Sequence, residues 1–164
     1  MRTAHFVSFR DMCPQIPSSR YSTHAFHSYP AQLIPHIPYY FLKTINRNGS
    51  SLVFDPFCGT GTVLVEAMHT GSDSIGVEIN PVAALIAKVK TTPIDKKDLE
   101  IGLEKIAKSY NDKGSNFDTP DFENIHYWFE NEDIRKLAKI KFCINCIDIP
   151  GVRDFYRVAF SSII

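Results

Sequence analysis

One segment constrains the fold more than any other: Phe54-Asp55-Pro56-Phe57-Cys58-Gly59-Thr60-Gly61-Thr62. It is preceded by a turn signal, Asn48-Gly49-Ser50-Ser51, and a short unbroken apolar run, Leu52-Val53-Phe54, which reads as a parallel strand buried on both faces. It is followed by Thr62 to His69, which read as a helix closed at Gly71 with Val63, Leu64 and Ala67 inward. A strand that delivers a small-residue turn to a helix start leaves bare backbone for a ligand. Unpaired N–H groups and the positive end of the helix dipole then face whatever sits there. The implied architecture is α/β.

A second unit of the same kind follows at once. Ser74-Ile75-Gly76-Val77 reads as a strand with Glu78 at its end, and Pro81 opens a helix running to about Lys90. Strand, helix, strand, helix at this spacing predicts a right-handed parallel crossover. Upstream, residues 1–20 read as an irregular arm, and residues 21–164 as one partial domain. Ser28 is expected to cap a helix entered near Pro30, with Leu33, Ile34, Ile37, Tyr40, Phe41 and Ile45 as its apolar stripe and Pro35 and Pro38 bending it. Downstream, Leu99 to Tyr110 and Ile134 to Ile140 predict two amphipathic helices around a Gly/Asn/Asp-rich loop. A last helix, starting near Pro150-Gly151, is expected to run through Ile164 with its apolar face free. Two strands are fewer than the roughly five or six of an ordinary doubly wound sheet, so the domain reads as partial.

Composition narrows the function classes. At 164 residues, 44% hydrophobic and 22% charged, the chain is an ordinary globular one. Eighteen basic residues balance eighteen acidic ones, so any nucleic-acid surface must be local. The densest basic run, Lys88, Lys90, Lys96 and Lys97, reads as a solvated helix face, and Tyr127-Trp128-Phe129 reads as core. With no long apolar run and no leader pattern, no membrane association and a cytoplasmic location are expected. The four cysteines read as ordinary thiols, the single Cys143-x-x-Cys146 pair lacking further ligands. His24, His27 and His36 read as capping or surface residues.

The glycine turn discriminates among ligands. A dinucleotide-binding turn would carry its third glycine at Leu64, and a phosphate loop would need Lys after Gly61, where Thr62 stands. A ligand with a charged amino-acid end and an adenosine end fits better. Asp55 at the first strand end can face an ammonium, and Glu78 at the next can accept two ribose hydroxyls. S-adenosylmethionine has both ends.

Asp55-Pro56-Phe57-Cys58-Gly59-Thr60-Gly61-Thr62 with Glu66-Ala67, then Gly76-Val77-Glu78-Ile79-Asn80-Pro81, resembles the cofactor motifs of DNA methyltransferases that modify adenine N6 or cytosine N4. His27-Ser28-Tyr29-Pro30-Ala31-Gln32 and Ile34-Pro35-His36-Ile37-Pro38 are similar to that family's leading motif, which closes over the methionine end of the cofactor. The resemblance runs from about Ser22 to Pro93. It implies a Rossmann-like class I methyltransferase fold, here partial, with a mainly parallel sheet, flanking helices and a helical insertion. It also implies that Ser28 and Tyr29 lie near the methionine moiety, that Asp55, Gly59 and Gly61 line the amino-acid end, that Pro56, Phe57 and Thr60 of the same turn bind the cofactor, that Glu78 holds the ribose and that Ile79 flanks the adenine. The ordinary alternative for Tyr29 and Ile79 is core.

The same family carries an Asn/Asp/Ser-Pro-Pro-aromatic tetrapeptide after a later strand, and no Pro-Pro pair occurs in this sequence. That tetrapeptide supplies the acceptors for the N–H bonds of a poorly nucleophilic exocyclic amine, and its aromatic ring stacks on the flipped base. The expectation is therefore the cofactor-binding portion of an enzyme whose complete form acts on double-stranded DNA. No residue of this chain is assigned to catalysis, and the chain is expected to be inactive alone. Two alternatives stand beside it: an RNA or small-molecule methyltransferase, and a non-catalytic truncated or split product, acting through a complementary chain that carries the missing motif or not at all.

Overall fold

The structure, a computed structural model, describes residues 6–16, 21–30, 32–45, 51–112, 114 and 116–163. The expected turn at residues 48–50, Ala31 of the leading motif, the paired Ser18 and Ser19 of the arm and Ile164 lie outside them. The chain forms two compact units, Met1–Pro93 and Ile94–Ile164.

The first unit is built on two parallel strands, β1 (Leu52–Asp55) and β2 (Asp73–Gly76), paired from Leu52 opposite Asp73 to Asp55 opposite Gly76. It also holds α1 (Phe9–Met12), a 3₁₀ turn at Ser22–Ala25, α2 (His36–Ile45), α3 (Thr62–His69) and α4 (Pro81–Thr91). Crossover helix α3 connects the strands and is buried nearly all round, with Thr62, Leu64, Val65, Glu66 and Ala67 inside. Val63, expected inward, is half-exposed, because the helix is packed on several sides and this position faces the remaining one. Leu64 occupies the place a third glycine would take. It fits because the opposing strand residue is Gly76, where an added Cβ would lie 2.7 Å from Leu64 Cδ1. Helix α4 starts as the sequence predicts, with Pro81 in its first turn and the Asn80 side chain accepting from Val82 N at 2.9 Å.

Further expectations change in this unit. The leading segment does not enter a helix at Pro30; α2 begins at His36, after Pro35, and Pro38 falls in its first turn, where a missing N–H costs nothing. The arm is not wholly irregular: α1 is one helical turn capped by Ser8, its Phe9 ring set edge-on to Tyr40 at 5.6 Å. The sheet is covered on one face only, for Leu52, Phe54 and Ile75 are exposed while Val53 and Ser74 are half-buried. Lys90 is not on a solvated face either; it is 2% exposed. At that position α4 packs against the 3₁₀ turn, whose Thr23 hydroxyl donates to the Lys90 carbonyl at 3.1 Å.

The second unit is helical: α5 (Lys96–Asn111), α6 (Ile125–Trp128), α7 (Asn131–Asn145) and α8 (Pro150–Ser161). Asp95 caps α5, and α5, α7 and α8 pack on one another. The apolar face of α8 is therefore not free: Val152 and Val158 are buried and the Tyr156 hydroxyl donates to the Leu99 carbonyl at 2.6 Å. The helix closes at Ser161, with the Ser162 N–H on the carbonyls of Ala159 and Phe160. Tyr127 and Trp128 are 80% and 71% exposed, against the reading of this cluster as core. A single-turn helix anchored by buried Ile125 has only one inward position to give, and the next residues point outward.

Two predictions follow from the packing of α3 and α4. Gly59 and Gly61 both have positive φ, of 51° and 79°, but a Cβ on Gly59 meets nothing within 4 Å, whereas one on Gly61 would sit 2.9 Å from Ala87 Cβ and 3.1 Å from its Cα. Gly59→Ala should cost about 1 kcal/mol of backbone strain and Gly61→Ala at least about 2 kcal/mol, since the clash adds to the strain. Denaturant midpoints that rank the two equally would contradict this packing.

The second concerns Lys90, whose Nζ is buried with no hydrogen-bond partner among the described residues. Burial pulls its amine down to about 8. Between about pH 8 and the ordinary lysine range the unfolded chain binds the extra proton, so the cost of burying the charged amine is full below pH 8 and fades as pH rises. Lys90→Met should be more stable than wild type at pH 7 by on the order of 3 kcal/mol, with the gap closing between pH 8 and about 10.5. A gap that is constant across that range in parallel melts would refute it.

Candidate functional site

The site grows from the strand pairing. Because Asp55 lies opposite Gly76, the chain leaves both strands at the same sheet edge, and the backbone continues to zip beyond them. Val77 N donates to the Asp55 carbonyl at 2.9 Å, and Cys58 N to the Val77 carbonyl at 3.0 Å. The turn then tightens, with Gly61 N donating to the Cys58 carbonyl at 2.7 Å, and α3 starts.

The two carboxylates organise this edge differently. Asp55 Oδ1 accepts from Phe57 N at 3.1 Å, so one of its oxygens shapes the start of the turn. Glu78 spans two loops: Oε2 accepts from Gly59 N at 2.9 Å and Oε1 from Asn80 N at 2.8 Å. The Asn80 side chain in turn donates from Nδ2 to the Tyr29 hydroxyl at 3.0 Å. A continuous path of hydrogen bonds thus runs from the glycine turn through Glu78 and Asn80 to the leading segment.

Between these parts lies a cavity of about 400 Å³, within the usual range for small-molecule sites. Tyr29, Asp55, Phe57, Gly59 and Thr60 line it, together with Gln32, Leu33, Phe54, Cys58, Thr62 and Val63. Ser28 lines an adjoining cavity of about 350 Å³, which shares Tyr29, Gln32, Leu33 and Thr62 with the first. All ten residues singled out from the sequence therefore fall at one sheet edge or on the leading segment beside it, though not all in the same role. Gly61 is buried against Ala87, Pro56 is exposed in the turn, and Glu78 braces the turn from the next strand. Ile79 is 98% exposed, so the core alternative does not apply to it; Tyr29 is half-buried as a wall of the cavity.

Cys58 sits in the same wall, and its thiol is pushed up, first by burial and then by the charges of Asp55 and Glu78. A thiol so placed is a poor source of thiolate.

Several residues were not assigned a role from the sequence. Glu66 is fully buried on α3, where it accepts a hydrogen bond from the Tyr21 hydroxyl and lies 2.7 Å from His24 Nε2. His24 and His36 are both buried, correcting their surface reading; His24 is drawn inside by this carboxylate, and His36 sits in the buried first turn of α2. The available signal was a charged residue standing between Val65 and Ala67, at helical spacing from Thr62 and His69 on an otherwise apolar helix. Among the described residues, no three His, Cys, Asp or Glu side chains converge as a metal site would require, and no helix is long and apolar enough to cross a membrane.

Comparison with known proteins agrees with the motif-based resemblance. A family model described as DNA methylase, of the N6/N4 methyltransferase group, matches residues 7–89, half of the chain. The type II methyltransferase M.MvaI of Kocuria varians is 36% identical over 152 residues, covering 85% of this chain and 33% of that protein. The type II methyltransferase M.MjaII of Methanocaldococcus jannaschii is 42% identical over 77 residues, covering 47% of this chain and 14% of that protein. The chain thus spans about a third or less of the length of these curated relatives. No solved structure matches it significantly. With the motifs in order along the first unit and a family model spanning half the chain, the chain belongs to the N6/N4 DNA methylase family.

Proposed function

We propose that this chain is the cofactor-binding portion of a DNA amino-methyltransferase with a partial Rossmann-like class I methyltransferase fold. Residues 21–164 would form part of that domain and residues 1–20 its leading arm. The complete enzyme would transfer methyl from S-adenosylmethionine to an exocyclic amino nitrogen of adenine or cytosine in double-stranded DNA, in the cytoplasm. The observation that carries the reading is the pair of carboxylates, Asp55 and Glu78, on neighbouring strand ends around a turn whose Gly59 backbone is open to a ligand.

That donor set fits the cofactor. Asp55 keeps one carboxylate oxygen beyond its bond to Phe57 N, available to an ammonium. Each oxygen of Glu78 holds a single backbone N–H and has a further lone pair for a ribose hydroxyl. Ile79, standing free at the same edge, would flank the adenine, and Ser28 and Tyr29 would close the methionine end. When bound, the sulfonium compound supplies an electrophilic methyl group. The residues present orient it and exclude water from one side; the acceptors for the amine N–H bonds are expected from a segment carrying the Pro-Pro-aromatic motif, outside this sequence or on a complementary chain.

The chain should bind S-adenosylmethionine in calorimetry, with Glu78→Gln weakening the affinity about tenfold or more, since charge-assisted bonds to the ribose are lost. The isolated chain should transfer no radiolabelled methyl to DNA; turnover by the purified chain alone would overturn the absence of a catalytic residue here. A well-folded sample that gives no heat with the cofactor would remove the reading altogether.

Cys58→Ala should retain cofactor affinity within about threefold, and when combined with the catalytic segment it should retain transfer, because direct attack by the amine needs no covalent cysteine. Loss of transfer with intact affinity would make Cys58 a participant.

A further inference from the structure

On the reading of the glycine-turn cavity as a cofactor site, we infer that Glu66 is its positioning residue, a buried carboxylate that fixes the leading segment over the site through Tyr21 and His24. The leading segment supplies the walls Ser28, Tyr29, Gln32 and Leu33, yet has little regular structure of its own to hold them. Among its described residues, the one helical element before α2 is the 3₁₀ turn at Ser22–Ala25, which opens on Ser22 at φ 53°, a left-handed conformation that persists only where surroundings enforce it. The attachments therefore decide where the walls stand.

Those attachments converge on α3 and α4. Tyr21 donates its hydroxyl to Glu66 Oε1, and its ring stacks on His69 at 5.6 Å. His24 Nε2 lies 2.7 Å from the same oxygen, donating to it when that nitrogen carries the proton. Ser22 Oγ lies 2.9 Å from His69 Nε2, and the Thr23 hydroxyl donates to the Lys90 carbonyl. Of these partners, Glu66 alone is a fully buried ionisable side chain that serves two residues of the segment at once. Hydrogen bonds to a carboxylate are the strong ones, and a low-dielectric setting makes losing them costly. The link from the far end of the segment, from Asn80 Nδ2 to the Tyr29 hydroxyl, is exposed to water.

Glu66 also stands one helical turn after Thr62, which lines both cavities, so the carboxylate and the cavity floor belong to one rigid helix. Fixing Tyr21 and His24 to that helix fixes Ser28 and Tyr29 relative to the glycine turn. Glu66 touches neither cavity and acts only through its partners.

The test compares Glu66→Leu, Glu66→Gln and Tyr21→Phe with wild type in the full chain, by hydrogen exchange and by titration with S-adenosylmethionine. In Glu66→Leu, amides of residues 21–30 should exchange at least about tenfold faster while those of Thr62–His69 keep their protection, and cofactor affinity should fall about tenfold. Glu66→Gln, which keeps an acceptor oxygen, should restore both to within about threefold. Tyr21→Phe keeps the stacked ring and loses only the donor; it covers the case in which Glu66→Leu does not fold, and should loosen residues 21–30 and weaken the affinity in the same direction. Unchanged exchange over residues 21–30 in the folded variants, or a Gln variant as impaired as the Leu variant, overturns the assignment. If wild type itself gives no heat with the cofactor, the proposed function fails, while the exchange data still decide whether Glu66 anchors the segment.

Discussion

The in-register pairing of two four-residue parallel strands is the constraint from which the first unit follows. Pairing Asp55 with Gly76 sets both exits at one edge, and the bonds from Val77 N to Asp55 and from Cys58 N to Val77 carry the register past the strands into the loops. Because strand side chains alternate between faces, a slip of one residue would send Asp55 to the opposite side and separate it from Glu78. The short sheet is thus less a stabilising core than a gauge that fixes the spacing of two carboxylates and a glycine turn.

Helix α3 converts that spacing into a site. It begins at the glycine turn, is buried on nearly every side, and carries a carboxylate where an apolar residue would have packed. Glu66 draws Tyr21 and His24 inward, so a segment without sheet or helix bonding to its neighbours becomes a wall of the cavity. Glu78 plays the corresponding role on the other side, holding Gly59 and Asn80 with its two oxygens. The edge is cross-braced by acidic side chains, and the same atoms retain the lone pairs a polar ligand needs.

The second unit follows different physics. Its helices bury apolar faces on one another, and a charged pair on α8, the buried Asp154 with Arg157, reaches across to the Asn145 side chain at the end of α7. The match to the N6/N4 DNA methylase family model lies wholly in the first unit, whereas the similarity to M.MvaI extends over most of the chain. The exposed Tyr127 and Trp128 and the uncovered face of Leu52, Phe54 and Ile75 show that apolar surface remains open in both units.

The sequence by itself determined the elements that local rules govern: the helix starts at Pro81 and Pro150, the end of α3 before Gly71, the parallel crossover, and the grouping of Asp55, the glycines and Glu78. Each follows from a cap, a glycine or proline, or a short apolar run read within a few residues. Tertiary structure alone decided what depends on neighbours distant in sequence. It buried His24 and Lys90 and left Tyr127, Trp128 and one sheet face exposed. It also started α2 at His36 rather than Pro30 and gave Glu66 its partners 42 and 45 residues away. Local propensity sets the backbone conformation of a residue, but burial and pairing are properties of the surface that packs against it, and that surface exists only once the chain has folded.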